Sequence, residues 1–320
     1  MTKKLREVVQ ALEDSRQVLI CSHIEPDGDS IGSQLALAEF LDSLGKKVRI
    51  VNQDPVPERY HFLDTRDQIR DHLPSGFSPD TAVILDCSNP ERLGRIGKLI
   101  TERMVTVTID HHRSNPGPDD PAFIDLEASS TGELIIDIIQ EMDGDIDPRQ
   151  ADRLYTAIFS DTGGFRFPNT TAKSLAAAAE LARCGARPHE IAARIYEKRS
   201  LASLKLLGRA LGKIDALENG RVTMVSLASD DLEQCGAGPG EAEGIVDALI
   251  AVKGTLVGVL TRQMPTGVIK VNLRTRSGLK ANKIAEAMGG GGHPNAAGYR
   301  TSASPVEARE TLLAEIRKWL

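Results

Sequence analysis

Histidine and aspartate side chains, which can bind metal ions or carry protons, are concentrated in a short segment near the start of the chain. The segment HIEPDGD, residues 23–29, directly follows the apolar run VLICS. An imidazole and two aspartates within seven residues can point into one cleft, and a proline and a glycine let the backbone turn sharply between them. Taken alone, the segment is equally typical of a solvated turn in which Asp29 caps the next helix.

Three later segments present the same residue types at the ends of regular elements. Asp86 ends the apolar run AVILD, the sequence DHHR at residues 110–113 ends VTVTID, and Asp161 follows the helical AIFS. Each alone is typical of a turn or a helix end, but four such groups together indicate a metal site. Mixed carboxylate and imidazole ligands favour manganese over magnesium or iron. Two cations about 3.5–4 Å apart would activate water and would stabilise both the attacking and the leaving oxygen of a phosphoryl transfer.

Alternating strand and helix patterns are what must position these residues. Short apolar runs at residues 18–22, 48–52, 82–86 and 105–110 indicate buried strands, and SIGSQLALAEFLDSLG indicates a helix that ends at Gly45. Ser130 and Glu133 have the spacing of a capping box before LIIDII. This rhythm predicts an α/β fold with a mostly parallel sheet flanked by helices. Loops at the carboxyl ends of such strands are where open α/β sheets bind ligands.

The second half of the chain predicts a separate, smaller α/β domain. Helical patterns dominate from residue 148 to 218, and strands and helices alternate again from Arg221. We therefore expect a metal-binding domain at 1–198, a helical linker at 199–220 and a second domain at 221–320. A length of 320 residues also suits two cores better than one.

Composition argues against several classes of function. The net charge of −6 is a poor match for non-specific binding of long duplex DNA, and 4% aromatic residues are few for a surface that tracks a single strand. The four cysteines form no CxxC pair, which favours a reducing cytoplasm over a disulfide framework or zinc knuckle. The sequence has no apolar signal region and no apolar run long enough to span a membrane.

A basic, glycine-rich segment in the second domain is a candidate phosphate-binding site. Residues 262–300 contain seven Lys or Arg and one acid, Glu286. Four glycines at 289–292 precede His293, and their backbone can approach a phosphate closely. The guanidinium of Arg274 can donate two parallel hydrogen bonds to a phosphate. Arg276 would lie on the same face of the sheet as Arg274 if the strand is regular. A solvated charged strand and a flexible turn are the alternative interpretation.

The motifs, taken in order, resemble those of one family. HIEPDGDSIGS, LDCS, DHH and SDTGGFRF are similar to four successive motifs of the DHH phosphoesterase superfamily, and GGGGHPNAAG resembles the signature of its associated C-terminal domain. The motifs extend from residue 23 to 298, and five in family order are highly specific. The chain length and the ASSTGEL segment are most similar to NrnA-type oligoribonucleases, which also remove phosphate from 3′-phosphoadenosine 5′-phosphate.

The resemblance implies a role for each matching residue. Two divalent cations, manganese with magnesium as the alternative, would be held by His23 and Asp27 on one side, Asp29 and His111 on the other, Asp86 between them, and Asp161. His112 would face the substrate phosphate, and Asp110 would orient an imidazole. Substrate contacts are expected from His112, Arg113, Ser130, Arg274, Arg276, Gly291, Gly292 and His293.

These expectations combine into a hydrolase that acts on short RNA or a nucleotide phosphate in the cytoplasm, and not on long duplex DNA or at a membrane. Two alternatives stay open: a phosphodiesterase for cyclic or linear dinucleotides, and a non-catalytic nucleotide-binding regulator on the same scaffold. A long-strand exonuclease of the RecJ type fits less well, because the chain lacks room for an added nucleic-acid-binding domain. The sequence leaves the oligomeric state open, a homodimer included.

Overall fold

In a computed structural model, the chain divides into two compact units, residues 1–198 and 199–320. The structure describes residues 3–64, 66–112, 115, 121–197, 200–242 and 244–320. No helix within these ranges is both long and apolar enough to cross a bilayer.

The first unit is built on a parallel sheet. Its strands are β1 (Gln17–Cys21), β2 (Lys47–Val51), β3 (Ile69–Arg70), β4 (Thr81–Leu85), β5 (Val105–Asp110) and β6 (Ala122–Ile124). Their order across the sheet is β3-β2-β1-β4-β5-β6, and every neighbouring pair is parallel. The order reverses between β1 and β4, which is where open α/β sheets place their ligands. The predicted parallel sheet is thus confirmed.

Helices cover this sheet and build the core. They are α1 (Lys3–Asp14), α2 (Gly28–Ser43), α3 (Thr131–Glu141), α4 (Pro148–Asp161), α5 (Ala172–Arg183) and α6 (Pro188–Ala192). Single-turn or irregular helical segments lie at Glu58–Tyr60, Pro90–Leu99 and Ala193–Glu197. The α2 helix is buried around nearly its whole circumference, with its apolar side chains in the core and the polar side chains of Asp29, Ser33 and Gln34 buried as well. It begins two residues before the predicted start, because Asp27 rather than Asp29 caps it.

The second unit contains a mixed sheet. Its elements are α7 (Leu201–Leu211), β7 (Asp215–Leu217), β8 (Val222–Leu227), α8 (Ser229–Cys235), α9 (Ile245–Ile250), β9 (Val257–Gln263), β10 (Ile269–Thr275), α10 (Ala281–Ala287), β11 (Gly291–His293), β12 (Ala296–Thr301) and α11 (Pro305–Arg317), with a short helical turn at Pro239–Ala242. The strand order is β11-β12-β10-β9-β8-β7, and β8 pairs with β9 in parallel while the other pairs are antiparallel. This agrees with the predicted smaller α/β domain.

The segment at 199–220, predicted as a helical linker, differs from that prediction. Leu206 and Ala210 of α7 are buried in a cluster with Val225 and Leu260 of the second sheet. Residues 215–217 form β7, which pairs with β8. Because its apolar side chains are needed to cover β8 and β9, this segment is packed into the second unit.

Candidate metal centre

The sheet brings together candidate residues that are far apart in the sequence. His23 follows β1, Asp86 follows β4 directly, and Asp110 is the last residue of β5. These three strands are neighbours and parallel, so their carboxyl ends lie at one edge. Asp86 has a φ of 53°, in the left-handed region that few residues other than glycine adopt, and such strain clusters at functional sites.

Two helices complete the group from the other side. Asp29 lies in the first turn of α2, and Asp161 is the last residue of α4. The helices approach so closely there that a Cβ on Gly28 would lie 2.6 Å from Ser160 Oγ. Tyr60 also reaches Ser160, with 3.1 Å between the two hydroxyl oxygens. A glycine is therefore required at position 28 to let the two aspartates face one cleft.

Imidazole nitrogens and carboxylate oxygens in this cleft are separated by similar distances. His111 Nε2 lies 3.6 Å from Asp29 Oδ2, 3.6 Å from Asp86 Oδ1 and 3.4 Å from Asp161 Oδ2. His23 Nε2 lies 3.6 Å from the other oxygen of Asp86, Oδ2. Asp86 thus presents one oxygen to each histidine.

Two groups of three potential ligands follow from these contacts. One consists of His23, Asp27 and Asp86, and the other of Asp29, His111 and Asp161; within each group the donor atoms lie within 4.8 Å of one another. Asp86 belongs to the first group, and its Oδ1 also lies 3.6 Å from His111 Nε2 of the second group.

The donor set and its spacing fit divalent cations. Two ligand atoms bound about 2.1 Å from one ion lie roughly 3.0–3.6 Å apart at ordinary bond angles. The observed separations of 3.4–3.6 Å fall in this range and are too long for good hydrogen bonds. Burial raises the pKa of the neighbouring thiols, Cys21 to about 12 and Cys87 to about 11, so they stay protonated. The donors are therefore nitrogen and oxygen, a set that manganese and magnesium accept.

The electrostatics of the two histidines are dominated by the aspartates. Burial by itself lowers the pKa of His111, but Asp86, Asp161 and Asp29 outweigh it, and the pKa is raised well above its usual value. The pKa of His23 is raised in the same way, against its burial, by Asp86 and Asp27. The cleft therefore attracts positive charge.

The carboxylates of the cleft differ in the direction in which their pKa is shifted. Burial, with Asp86 nearby, raises the pKa of Asp29 well above its usual value, and burial raises the pKa of Asp161 to about 7. Asp86 is buried too, but contacts with His111 and His23 hold its pKa well below the usual value. Without cations, protons would have to neutralise part of this cluster, and a divalent ion can replace them.

Asp110 organises the backbone and side chains of the DHH segment. Its Oδ1 accepts the His111 N–H at 2.8 Å and the His112 N–H at 3.2 Å, and it lies 2.7 Å from His112 Nδ1. Its Oδ2 accepts from Asn115 at 2.8 Å. Asp110 thus orients the His112 ring, the geometry expected of a carboxylate that supports an imidazole.

Ser130 occupies a structural position. It is buried, and its hydroxyl accepts the Glu133 N–H at 3.4 Å as the cap of α3. Glu133 was predicted to complete a capping box by reaching back to Ser130, but its carboxylate accepts from the N–H and the hydroxyl of Ser129. Arg113, the predicted substrate contact that follows His112, lies outside the described residues.

One set of contacts at the cleft was missed by reasoning from the sequence. The Asp29 carboxylate accepts the backbone N–H groups of Thr131 at 2.7 Å and Gly132 at 3.0 Å, at the start of α3. The positive end of a helix dipole stabilises a carboxylate there. Only the ASSTGEL helix start could have hinted at this, and the sequence does not say which acid the helix meets.

In the second unit, the predicted phosphate-binding residues lie at one end of the sheet. Arg274 is in register with Ala296, which pairs with His293, and antiparallel partners point to the same face. The Arg274 Nε donates to Asp247 at 2.9 Å, so part of its guanidinium is already bound. Arg276 is exposed and follows the end of β10, so the regular strand assumed for it stops one residue earlier.

The glycine run is more ordered than the flexible turn considered as its alternative. Gly291 and Gly292 begin β11, which pairs with β12. A Cβ on Gly290 would lie 2.2 Å from the Gly298 carbonyl oxygen, and one on Gly292 would lie 2.6 Å from that of Ala296. Gly291 has open space at the same position. Close packing of backbones thus accounts for two of the four glycines.

Two family models match the chain. One, described as the DHH family, N-terminal domain, matches residues 17–158. The other, described as the DHHA1 domain, matches residues 220–320. The first contains five of the six candidate ligands, all except Asp161, and the second contains the glycine run.

Several known proteins are similar over almost the whole chain. The bifunctional oligoribonuclease and PAP phosphatase NrnA of Thermus thermophilus is 33% identical, over 98% of this chain and 93% of its own length. The protein of the same name from Bacillus subtilis is 28% identical over 91% of each chain. A crystal structure of an exopolyphosphatase-related protein from Bacteroides fragilis superimposes with a TM-score of 0.89 at 26% identity, covering 100% of this chain and 98% of the other.

Proposed function

The chain belongs to the DHH family, and from that premise we propose that it is a metal-dependent phosphoesterase for very short oligoribonucleotides and 3′-phosphoadenosine 5′-phosphate. The observation that carries the proposal is the pair of neighbouring ligand groups, with Asp86 in the first and its Oδ1 3.6 Å from His111 of the second. Relatives that are similar over nearly their full length are named for these two activities.

Each ligand group would hold one divalent cation. His23 and Asp27 would help to hold the first, Asp29, His111 and Asp161 the second, and Asp86 would contribute to both. The donor chemistry favours manganese, with magnesium as the alternative. Such a pair of cations, when bound, supplies hydroxide near neutral pH and neutralises charge on the phosphate.

The protein's own residues would do the positioning. The contacts from Thr131 and Gly132 hold the Asp29 carboxylate in one orientation. Asp110 holds the His112 ring through Nδ1, which directs the opposite nitrogen, Nε2, to the substrate phosphate in our assignment. An imidazole held in this way can donate a hydrogen bond to a phosphate oxygen as charge develops there.

We assign the binding of the rest of the substrate to the second unit. Arg274 lies in β10, and Gly291, Gly292 and His293 form β11; both strands pair with β12, which lies between them. This patch is small, so binding energy should saturate after a few nucleotides. Arg276 would add an exposed cation at its margin.

A substrate panel tests the proposal. Metal-stripped protein would be reloaded with manganese or magnesium and assayed on di- to tetranucleotides, RNA of about twenty nucleotides, 3′-phosphoadenosine 5′-phosphate, cyclic dinucleotides and pyrophosphate. We expect kcat/KM to be highest for the short RNAs and the bisphosphate. Preference for cyclic dinucleotides would support the alternative phosphodiesterase, and tight nucleotide binding without phosphate release would support a regulator.

The same assay separates the roles of the two units. Arg274→Ala and His293→Ala should lower kcat/KM on dinucleotides while bound metal stays unchanged, because remote contacts position the reacting centre. Lys283→Ala is the matched control, since Lys283 is exposed and pairs with Glu286 at 2.7 Å. Rates that rise steadily with RNA length, or Arg274 and His293 variants that match the control, would contradict the short-substrate assignment.

A further inference from the structure

Arg92 lies in a short helical segment beside the metal centre, outside the two ligand groups. The segment, Pro90–Leu99, follows β4 after Asp86 and is capped by Asn89, which accepts the Glu91 N–H at 2.9 Å. The Arg92 carbonyl accepts the Ile24 N–H at 2.7 Å, so its backbone is tied to the loop that carries His23. The position of Arg92 relative to the cleft is therefore fixed by main-chain bonds.

The guanidinium of Arg92 lies against a proposed metal ligand. Its Nη2 is 3.1 Å from His23 Nδ1, and the same ring nitrogen is 2.7 Å from the Ile24 carbonyl oxygen. One ring nitrogen can donate a proton or accept one, but cannot do both. The carbonyl is only an acceptor and is the closer partner, so Nδ1 must carry the proton.

This assignment suits the rest of the site. With the proton on Nδ1, the His23 Nε2 that faces Asp86 at 3.6 Å keeps its lone pair for a cation. The Arg92 N–H groups then face an N–H and cannot be satisfied by His23. Among the described residues, no carboxylate lies within ion-pair distance of Arg92, whereas Arg95 in the same segment lies 3.6 Å from Asp71.

We propose that Arg92 is a substrate-binding residue, whose guanidinium takes an oxygen of the phosphate that is hydrolysed beside His23. An anion is the partner that a guanidinium prefers, and a phosphate oxygen can accept two of its N–H groups at once. Arg92 is half-buried, so such a bond is only partly screened by water. The inference rests on the proposed function, since it assumes that a phosphate enters this cleft.

Three variants of the full-length, manganese-loaded protein test the assignment. Arg92→Ala removes the donor, Arg92→Lys keeps the charge without the planar fork, and Arg95→Ala is the matched control from the same segment. The measurements are bound metal per chain, kcat and KM on a diribonucleotide, and the dissociation constant of inorganic phosphate by calorimetry. Thermal unfolding reports whether each variant folds.

We expect Arg92→Ala to keep its metal and to lose about 10²–10³-fold in kcat, the usual effect of removing one donor to a developing charge. Its affinity for inorganic phosphate should fall about tenfold or more, since a charge-assisted bond is lost. Arg92→Lys should recover part of both, millimolar guanidinium should partly rescue Arg92→Ala, and Arg95→Ala should match wild type.

Two results would overturn the assignment. Unchanged turnover and phosphate affinity in Arg92→Ala would show that the guanidinium does not meet the substrate. Loss of metal in Arg92→Ala, with Arg92→Lys restoring metal and rate together, would show that it only positions His23. Phosphate affinity is measured without turnover, so a wild type that hydrolyses no phosphoester would reject the proposed function while the Arg92 comparison could still be made.

Discussion

Replacing Asp161 with asparagine should make the metal-free protein more stable and should reduce the stabilisation that bound metal provides. The Asp161 side chain is 12% exposed, lies 3.4 Å from His111 Nε2, and is surrounded by other carboxylates. Asparagine has nearly the same shape but no charge. The substitution therefore removes one charge from the cluster with little change in packing.

The magnitude follows from the pKa of Asp161 in the metal-free protein. Burial raises that pKa from 3.8 to about 7, a difference of about 3 units, which is worth about 4 kcal/mol at most. Since the folded-state pKa is the higher one, this stability is present below pH 4 and is lost as the pH rises to 7. The asparagine variant has no such loss. At pH 8 it should be more stable than wild type by up to about 4 kcal/mol, falling to about 2 kcal/mol at pH 5.

Saturating manganese should reduce or cancel this difference, because wild type gains more stability from the ion than the variant does. A ligand at a thousand times its dissociation constant stabilises the fold by about 4 kcal/mol, and the variant lacks one of the groups that bind it. Thermal unfolding in chelator and in manganese, at pH 5 and pH 8, measures all four cases. For a unit of 198 residues, 4 kcal/mol corresponds to roughly 8–16 °C in Tm. Asp42→Asn, at an exposed position of α2, is the matched control.

Metal-free Asp161→Asn that is no more stable than wild type at pH 8 would refute the destabilising role of the Asp161 charge. A difference in stability between the two proteins that is the same at pH 5 and pH 8 would refute it too, because the destabilisation would then not come from an ionised carboxylate. Equal manganese-dependent shifts in wild type and variant would remove Asp161 from the proposed ligand set.

Three further outcomes are expected. Asp86→Ala should stay folded yet lose about 10³-fold or more in kcat/KM, because both cation sites depend on this carboxylate; near-normal turnover would contradict the shared site. Metal analysis should show that His111→Ala loses metal and rate, whereas His112→Ala keeps metal and loses rate; equal metal loss would mean the roles are misassigned. Gly290→Ala should lower the free energy of unfolding by about 1–3 kcal/mol, because its Cβ would meet the β12 backbone. Gly291→Ala, with open space, should unfold like wild type in the same calorimetric scan.

The sequence by itself determined the α/β class and the edge of the sheet at which the candidate residues lie. Apolar runs that end at or just before His23, Asp86 and Asp110 mark strands, and parallel strands end at a common edge whatever their order. Local periodicity and composition are enough for this, because a short apolar run bounded by turn residues is itself the signal of a buried strand. The family motifs added the expected ligand roles.

Element boundaries and caps were only partly predictable. Asp27 caps α2 where Asp29 was the candidate, and α7 covers the second sheet where a linker was expected. Both outcomes depend on which distant surface needs covering, and α7 is amphipathic enough for either role. A sequence pattern shows that a helix has an apolar face, but not what that face meets.

Only the tertiary structure decided which atoms face each other. Asp161 reaches the cleft from the end of α4 because Gly28 lets α2 and α4 approach, and Asp86 presents separate oxygens to His23 and His111. The same holds outside the cleft, where Asp247 engages Arg274. These distances are set by packing between residues tens to over a hundred positions apart. A shift of about 1 Å there would change the chemistry without changing any sequence pattern.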